Sequence, residues 1–277
     1  MKKIISVFTF LLFSIISFSQ HDPFKVNVVG EGNPILLFPG FACTGEVWKE
    51  TVEGLSQHYE CHVFTFAGFG DVPPVETPWL SRIKDGVVNY VKKNALKEPV
   101  IIGHSLGGTL GLWMSSTEEK LFKKLIIVDG LPSVGALMIP NFDATTIVYD
   151  NPFSKRQLAM NDEEFKAMAV QTASFMSLNK EKHKQIINWI LKADRETYVY
   201  GYTDLLKLDL REDMKKVKIP VVLLAATYPN KEMIKSNYDK QYKYLQNLEV
   251  FYADNSAHFI MYDQPEWFIN QVKAQLE

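Results

Sequence analysis

The run Val100-Ile101-Ile102-Gly103-His104-Ser105-Leu106-Gly107 holds a serine between two glycines, in the pattern Gly-x-Ser-x-Gly. A β-branched stretch precedes it and a Gly-spaced apolar stretch suited to a helix follows. Turning from strand to helix at one residue forces Ser105 into a strained backbone conformation and leaves its Oγ in the open. Gly103 and Gly107 fit that turn because a Cβ at either place would strike neighbouring backbone. A serine hydroxyl attacks a carbonyl poorly until a base takes its proton. His258 is the candidate base: it closes the loop 254–258 after the last predicted strand. His104 adjoins the serine, but adjacent residues on a tight turn point apart, so packing or support of the turn is expected of it. His21, His58, His62 and His183 form no metal-ligand spacing, and no metal is expected.

These groups need a frame. Lys25–Val29, Ile35–Phe38, Cys61–Phe66, Val100–Ile102, Leu125–Val128, Pro220–Ala225 and Leu248–Tyr252 read as short strands. Thr77-Pro78 predicts a helix start, with Thr77 as cap and Pro78 in the first turn. Ile83, Val87, Val91 and Ala95 recur every four residues and mark its buried face. The last helix is expected from about Pro265 toward Leu276. Continuous apolar strands alternating with helices predict an α/β fold: a mostly parallel central sheet with helices on both faces. The alternation stops between Leu131 and Lys216, where helical signals take over. Asn161-Asp162-Glu163-Glu164 resembles a capping box, and Asn179 could cap a second helix. The expected organisation is therefore a core of residues 20–130 and 216–277, with a helical cap at 131–215 over the C-terminal edge of the sheet. Met160, Phe165, Met168, Phe175, Met176 and Trp189 could line an apolar pocket there, or could hold the cap helices together.

The chain has 277 residues, 47% of them hydrophobic, which is ample for a core. Its formal charge of −2 points to neither nucleic acid nor any strongly charged partner. Lys2 and Lys3 precede an apolar run from Ile4 to Phe18, with small residues at Ser17 and Ser19 around its end. This run is shorter than the roughly 20 residues that span a bilayer. It predicts a signal peptide over residues 1–19, an exported protein, and no stable membrane insertion after cleavage. Export raises the question of a disulfide between Cys43 and Cys61, the two cysteines. The helical stretch between them rises roughly 20 Å at 1.5 Å per residue, whereas a bridge needs Cα atoms within about 7 Å. Free thiols are expected.

The motifs together resemble the α/β-hydrolase superfamily, over nearly all of the chain after residue 19. Besides the serine turn, Phe38-Pro39-Gly40-Phe41 is similar to that family's oxyanion loop, and Phe66-Ala67-Gly68-Phe69-Gly70 to its glycine loop. His258-Phe259-Ile260-Met261-Tyr262-Asp263-Gln264-Pro265-Glu266 is similar to its histidine loop and last helix. The resemblance implies oxyanion donors from the backbone N–H groups of Phe41 and Leu106. It also implies an acid that orients His258. Most relatives carry an Asp after the strand equivalent to Pro220–Ala225, and none stands there in this chain. Some relatives place the acid one strand earlier, which here is Asp129, with Glu232 and Asp239 as alternatives. The expected activity is that of a secreted serine hydrolase, carboxylic-ester-hydrolase-like. It would cleave an ester, lactone or thioester of a small, apolar molecule through an acyl-enzyme on Ser105, without a cofactor. The competing expectation is a ligand-binding protein on the same fold with a vestigial site, kept open by the missing Asp.

Overall fold

A computed structural model describes residues 22–277; the expected leader lies outside them. Seven strands form one sheet: β1 (Phe24–Val29), β2 (Asn33–Phe38), β3 (Tyr59–Phe66), β4 (Val100–His104), β5 (Leu125–Val128), β6 (Val221–Ala226) and β7 (Leu248–Ala253). Their order is β1-β3-β2-β4-β5-β6-β7, parallel throughout except for β1, which runs antiparallel to β3. The sequence runs and the strands coincide to within two residues at each end. Ile35–Phe38, Leu125–Val128 and Leu223–Ala225 have no exposed surface, as expected of central strands covered on both faces.

The helices are α1 (Lys49–Leu55), α2 (Trp79–Lys93), α3 (Leu106–Thr117), α4 (Val134–Met138), α5 (Pro152–Ala159), α6 (Asp162–Met176), α7 (Lys180–Lys192), α8 (Tyr202–Lys207), α9 (Lys231–Gln241), α10 (Ile260–Asp263) and α11 (Pro265–Leu276). Helices α4 to α8 all fall between β5 and β6, and no strand interrupts them among the described residues. Asn161 closes a capping box with Glu164, each side chain bonding the other's backbone N–H at 2.9 and 3.0 Å. Asn179 caps α7 through Glu181 N–H.

The start of α2 corrects the expected cap. Pro78 stands outside the helix with ψ of 117°, and no Thr77 side-chain cap forms. Asp204 of α8 supplies the acceptor instead, bonding Leu80 N–H at 3.1 Å. A carboxylate at a helix N-terminus meets both the free N–H groups and the dipole. The cap of α2 is thus tertiary and comes from the segment between β5 and β6.

Phe165 and Trp189 are 2% exposed and act in packing. The Phe165 ring meets Tyr198 at 5.3 Å and the Arg195 guanidinium at 3.7 Å, while Trp189 Nε1 donates to Glu46 across to the core. Phe175 is 70% exposed and is no pocket residue. Cys43 and Cys61 are free and buried, and burial pushes both thiols up, Cys61 to about 11. No helix among the described residues is long and apolar enough to cross a membrane.

Candidate active site

Ser105 sits between β4 and α3 with φ 53° and ψ −116°, the strained turn that its flanking glycines suggest. A Cβ on Gly103 would lie 2.3 Å from the Gly107 carbonyl carbon, and one on Gly107 would lie 2.4 Å from the Phe38 carbonyl oxygen. Both contacts are with backbone and cannot be relieved by a rotamer. The loop after β2 closes on the same turn: a Cβ on Gly40 would come within 2.6 Å of His104 Nδ1 and 3.4 Å of Ser105 Cβ.

That approach brings Phe41 beside the serine. The Phe41 ring fits among Phe69, Trp79, Tyr198 and Tyr202, at centroid distances of 5.1 to 6.0 Å. Core and inserted helices therefore hold it jointly. Its backbone N–H donates to no protein acceptor among the described residues. Leu106 opens α3, so its N–H is one of the donors a helix leaves without an intrahelical partner.

His258 follows β7, and its Nδ1 lies 2.6 Å from Asp129 Oδ2. Asp129 directly follows β5 with φ of 50°, and its carboxylate is 13% exposed. Oδ1 accepts two more bonds, from Ala226 N–H at 2.8 Å and from the Tyr238 hydroxyl at 2.6 Å. Burial opposes ionisation of Asp129. The bond and charge of His258, then the Tyr238 hydroxyl and the Ala226 N–H, outweigh it and hold the carboxyl below its ordinary range. Glu232 is exposed, and Asp239 is exposed and paired with Lys235 at 2.7 Å; neither bonds His258 among the described residues.

His104 is the link between serine and histidine. Its Nε2 lies 3.0 Å from the His258 carbonyl oxygen, and its ring lies 4.6 Å from the His258 ring and 4.7 Å from Phe259. Only a protonated Nε2 can donate to that carbonyl, which leaves Nδ1 bare, buried and without a partner. Burial, and then the adjacent His258, push His104 down to about 3, so it is neutral at ordinary pH. No hydrogen bond joins Ser105 Oγ directly to His258 among the described residues. Such bonds are often long before substrate binds. No cluster of three or more potential metal ligands occurs among the described residues.

Tyr238 and Asp263 were not singled out in the sequence. Ile234, Tyr238 and Tyr242 recur every four residues and so announce a buried face of α9, but nothing local tells where that face lands. Asp263 Oδ1 accepts from the Ser177 hydroxyl and from the N–H groups of Leu178 and Asn179, and Oδ2 accepts from Ala257 N–H. It fastens the α6–α7 turn to the loop that carries His258.

This arrangement of a strained serine, a carboxylate-held histidine and two backbone donors on a parallel sheet defines a nucleophile-elbow fold. The model of the alpha/beta hydrolase family matches residues 35–271. The chain belongs to that family. Among curated relatives, the pimeloyl-[acyl-carrier protein] methyl ester esterase of Vibrio cholerae is 24% identical over 253 residues, spanning 89% of this chain and 95% of the relative. That of Aliivibrio fischeri strain MJ11 is 28% identical over 208 residues, spanning 69% and 74%. Among solved structures, the enol-lactonase of Burkholderia xenovorans LB400 superimposes with a TM-score of 0.76 at 14% identity, covering 91% of this chain and 96% of its own. A thermophilic esterase of Thermogutta terrifontis gives 0.72 at 18% identity, covering 91% and 92%.

Proposed function

We propose that the chain is a serine hydrolase that cleaves a carboxylic ester through an acyl-enzyme on Ser105. The 2.6 Å bond between His258 Nδ1 and Asp129 Oδ2 carries the reading. With Nδ1 protonated and held by a carboxylate, Nε2 is left as the basic nitrogen. Ser105 Oγ attacks the ester carbonyl and its proton passes to His258 Nε2. The oxygen that gains negative charge is met by the N–H groups of Phe41 and Leu106, each worth about 3–4 kcal/mol to the transition state. As the tetrahedral intermediate collapses, His258 returns the proton to the leaving alcohol. Water then enters by the same route in reverse roles, freeing the acid and restoring Ser105. Asp129 stays ionised throughout and stabilises the imidazolium.

The esterase names of the sequence relatives support the ester as bond class. The lactonase among the structural neighbours keeps cyclic esters in the substrate panel, and thioesters follow the same chemistry. The inserted helices reach Phe41 through Tyr198 and Tyr202 and reach the His258 loop through the Met176 carbonyl. This supports their role as a cap that shapes the acyl site. A fluorophosphonate probe tests the assignment: labelling of the wild type and none of Ser105→Ala is expected, together with loss of p-nitrophenyl ester hydrolysis. A folded wild type that takes no label, or a Ser105→Ala variant that still turns over, rejects it. Export rests on the N-terminal sequence, and the mass of protein isolated from its host tests it; a mature chain beginning at Gln20 is expected.

A further inference from the structure

Asp129 is secured from its far side. Tyr238, 109 residues away in sequence and 6% exposed, places its hydroxyl 2.6 Å from Oδ1. Gln241, the last residue of α9, and Tyr242 just after it grip the chain just beyond. Gln241 exchanges two hydrogen bonds with the Ser133 backbone, and the Tyr242 hydroxyl donates to the Gly130 carbonyl. Asp129 itself has a positive φ, a conformation that non-glycine residues avoid. The end of α9 and the residue after it thus hold the Asp129 carboxylate and the chain just beyond it.

We infer, resting on the triad reading above, that Tyr238 is a positioning residue for the hydrolysis: its hydroxyl fixes the carboxylate so that Oδ2 holds His258 in the productive tautomer. The phenol touches no reacting atom, and no proton leaves it. Burial, and then the facing carboxylate, push Tyr238 well above its ordinary range, so it remains a donor at every working pH. The titratable groups around the pair are His258, His104 of β4, Tyr242 just after α9, and Tyr252 of β7.

Removing the hydroxyl has two consequences. Oδ1 keeps one donor, Ala226 N–H, and the carboxylate gains freedom to turn, so His258 is aligned less often and kcat falls. The carboxylate also becomes more basic, which favours the imidazolium and raises the pKa on the acidic limb of kcat/KM. A tyrosine that only filled space would move neither.

Tyr238→Phe keeps the ring and its packing. With p-nitrophenyl butyrate, kcat is expected to fall roughly tenfold, the scale of one hydrogen bond to a charged group. KM should stay within about twofold, because the uniform binding of substrate is untouched. The acidic limb should rise by about half a pH unit. In an Asp129→Asn background the same change should cost less than about twofold, since coupled residues are not additive. Replacing Tyr238 by 3-fluorotyrosine gives a stronger donor of nearly the same shape and should move the limb downward; this second variant serves if Tyr238→Phe does not fold. Wild-type kcat and limb in Tyr238→Phe, equal losses in both backgrounds, or shifts of one sign in the two variants overturn the inference. Full activity of Asp129→Asn would instead reject the triad reading itself, so the two failures are distinct.

Discussion

Asp129→Asn is the sharpest perturbation of this site, because the hydrogen bonds around the carboxylate dictate how the amide must sit. Oδ1 of the native residue faces the Ala226 N–H, a donor fixed in the backbone at the end of β6. The amide oxygen must take that place. The opposite orientation would set an NH2 against an N–H and leave a buried donor unmet, at about 1–3 kcal/mol. The NH2 therefore faces His258 and donates to Nδ1. A neutral imidazole so bound carries its proton on Nε2, the nitrogen that must receive the proton of Ser105. The tautomer is inverted while the shape of the site is kept. Triads disabled in this way lose roughly 10⁴-fold in kcat, or about 5.4 kcal/mol at 1.36 kcal/mol per factor of ten. Initial rates with p-nitrophenyl butyrate at known protein concentration give the loss, and a urea midpoint shows that the variant is folded. A loss below about tenfold in folded protein refutes the argument, and more so if Glu232→Gln or Asp239→Asn proves crippling.

Three further outcomes are expected. Gly40→Ala places a Cβ 2.6 Å from His104 Nδ1 and 3.4 Å from Ser105 Cβ, an overpacking of about 1–3 kcal/mol that pushes the Phe41 donor away; a kcat loss of about tenfold or more is expected, and wild-type kcat contradicts it. His104 is held neutral, its pKa pushed down to about 3 against about 6.5 in the unfolded chain. Its contribution to stability is therefore complete above about pH 6.5 and is lost as pH falls toward 3, by up to about 1.4 kcal/mol per unit. Urea midpoints between pH 7 and 4.5 measure the slope, which His104→Asn should flatten; an unchanged slope rejects the assignment. Asp263→Ala strips acceptors from Leu178, Asn179 and Ala257 N–H. A loss of roughly 2 kcal/mol and new protease cleavage near residues 176–180 are expected, and an unaltered digestion pattern counts against the coupling.

What could be read in advance follows from the range of the interactions involved. The strands were legible because each is a local apolar run, and Ser105 because its turn demands glycine two residues to either side. The proposed base, His258, needed only its place after the last strand. Thr77 misled because a local cap signal was outweighed by Asp204, which lies 124 residues beyond the Leu80 N–H that it caps. Phe175 misled because an apolar residue on a helix does not declare which side faces the core. Tyr238 was invisible for a related reason: α9 shows a buried face in its four-residue spacing, but its target at the end of β5 lies 109 residues away in sequence.

The proposed acid, Asp129, stands at the end of β5, beside the end of β6. β5 and β6 are hydrogen-bonded neighbours, with Val128 opposite Leu224, so residues just beyond each strand emerge at one level of the sheet. Parallel strands lie about 4.8 Å apart, well within the reach of a side chain. Asp129 N–H still bonds the Leu224 carbonyl, one step past the ladder, and its carboxylate turns across β6 to take Ala226 N–H. Beyond β6, Thr227 donates its hydroxyl to the Ala253 carbonyl and serves the β6–β7 junction. A carboxylate at the end of β5 gains from a second donor beside the Ala226 N–H. α9 provides it through Tyr238, which is why the acid and the helix that steadies it are best tested as one unit.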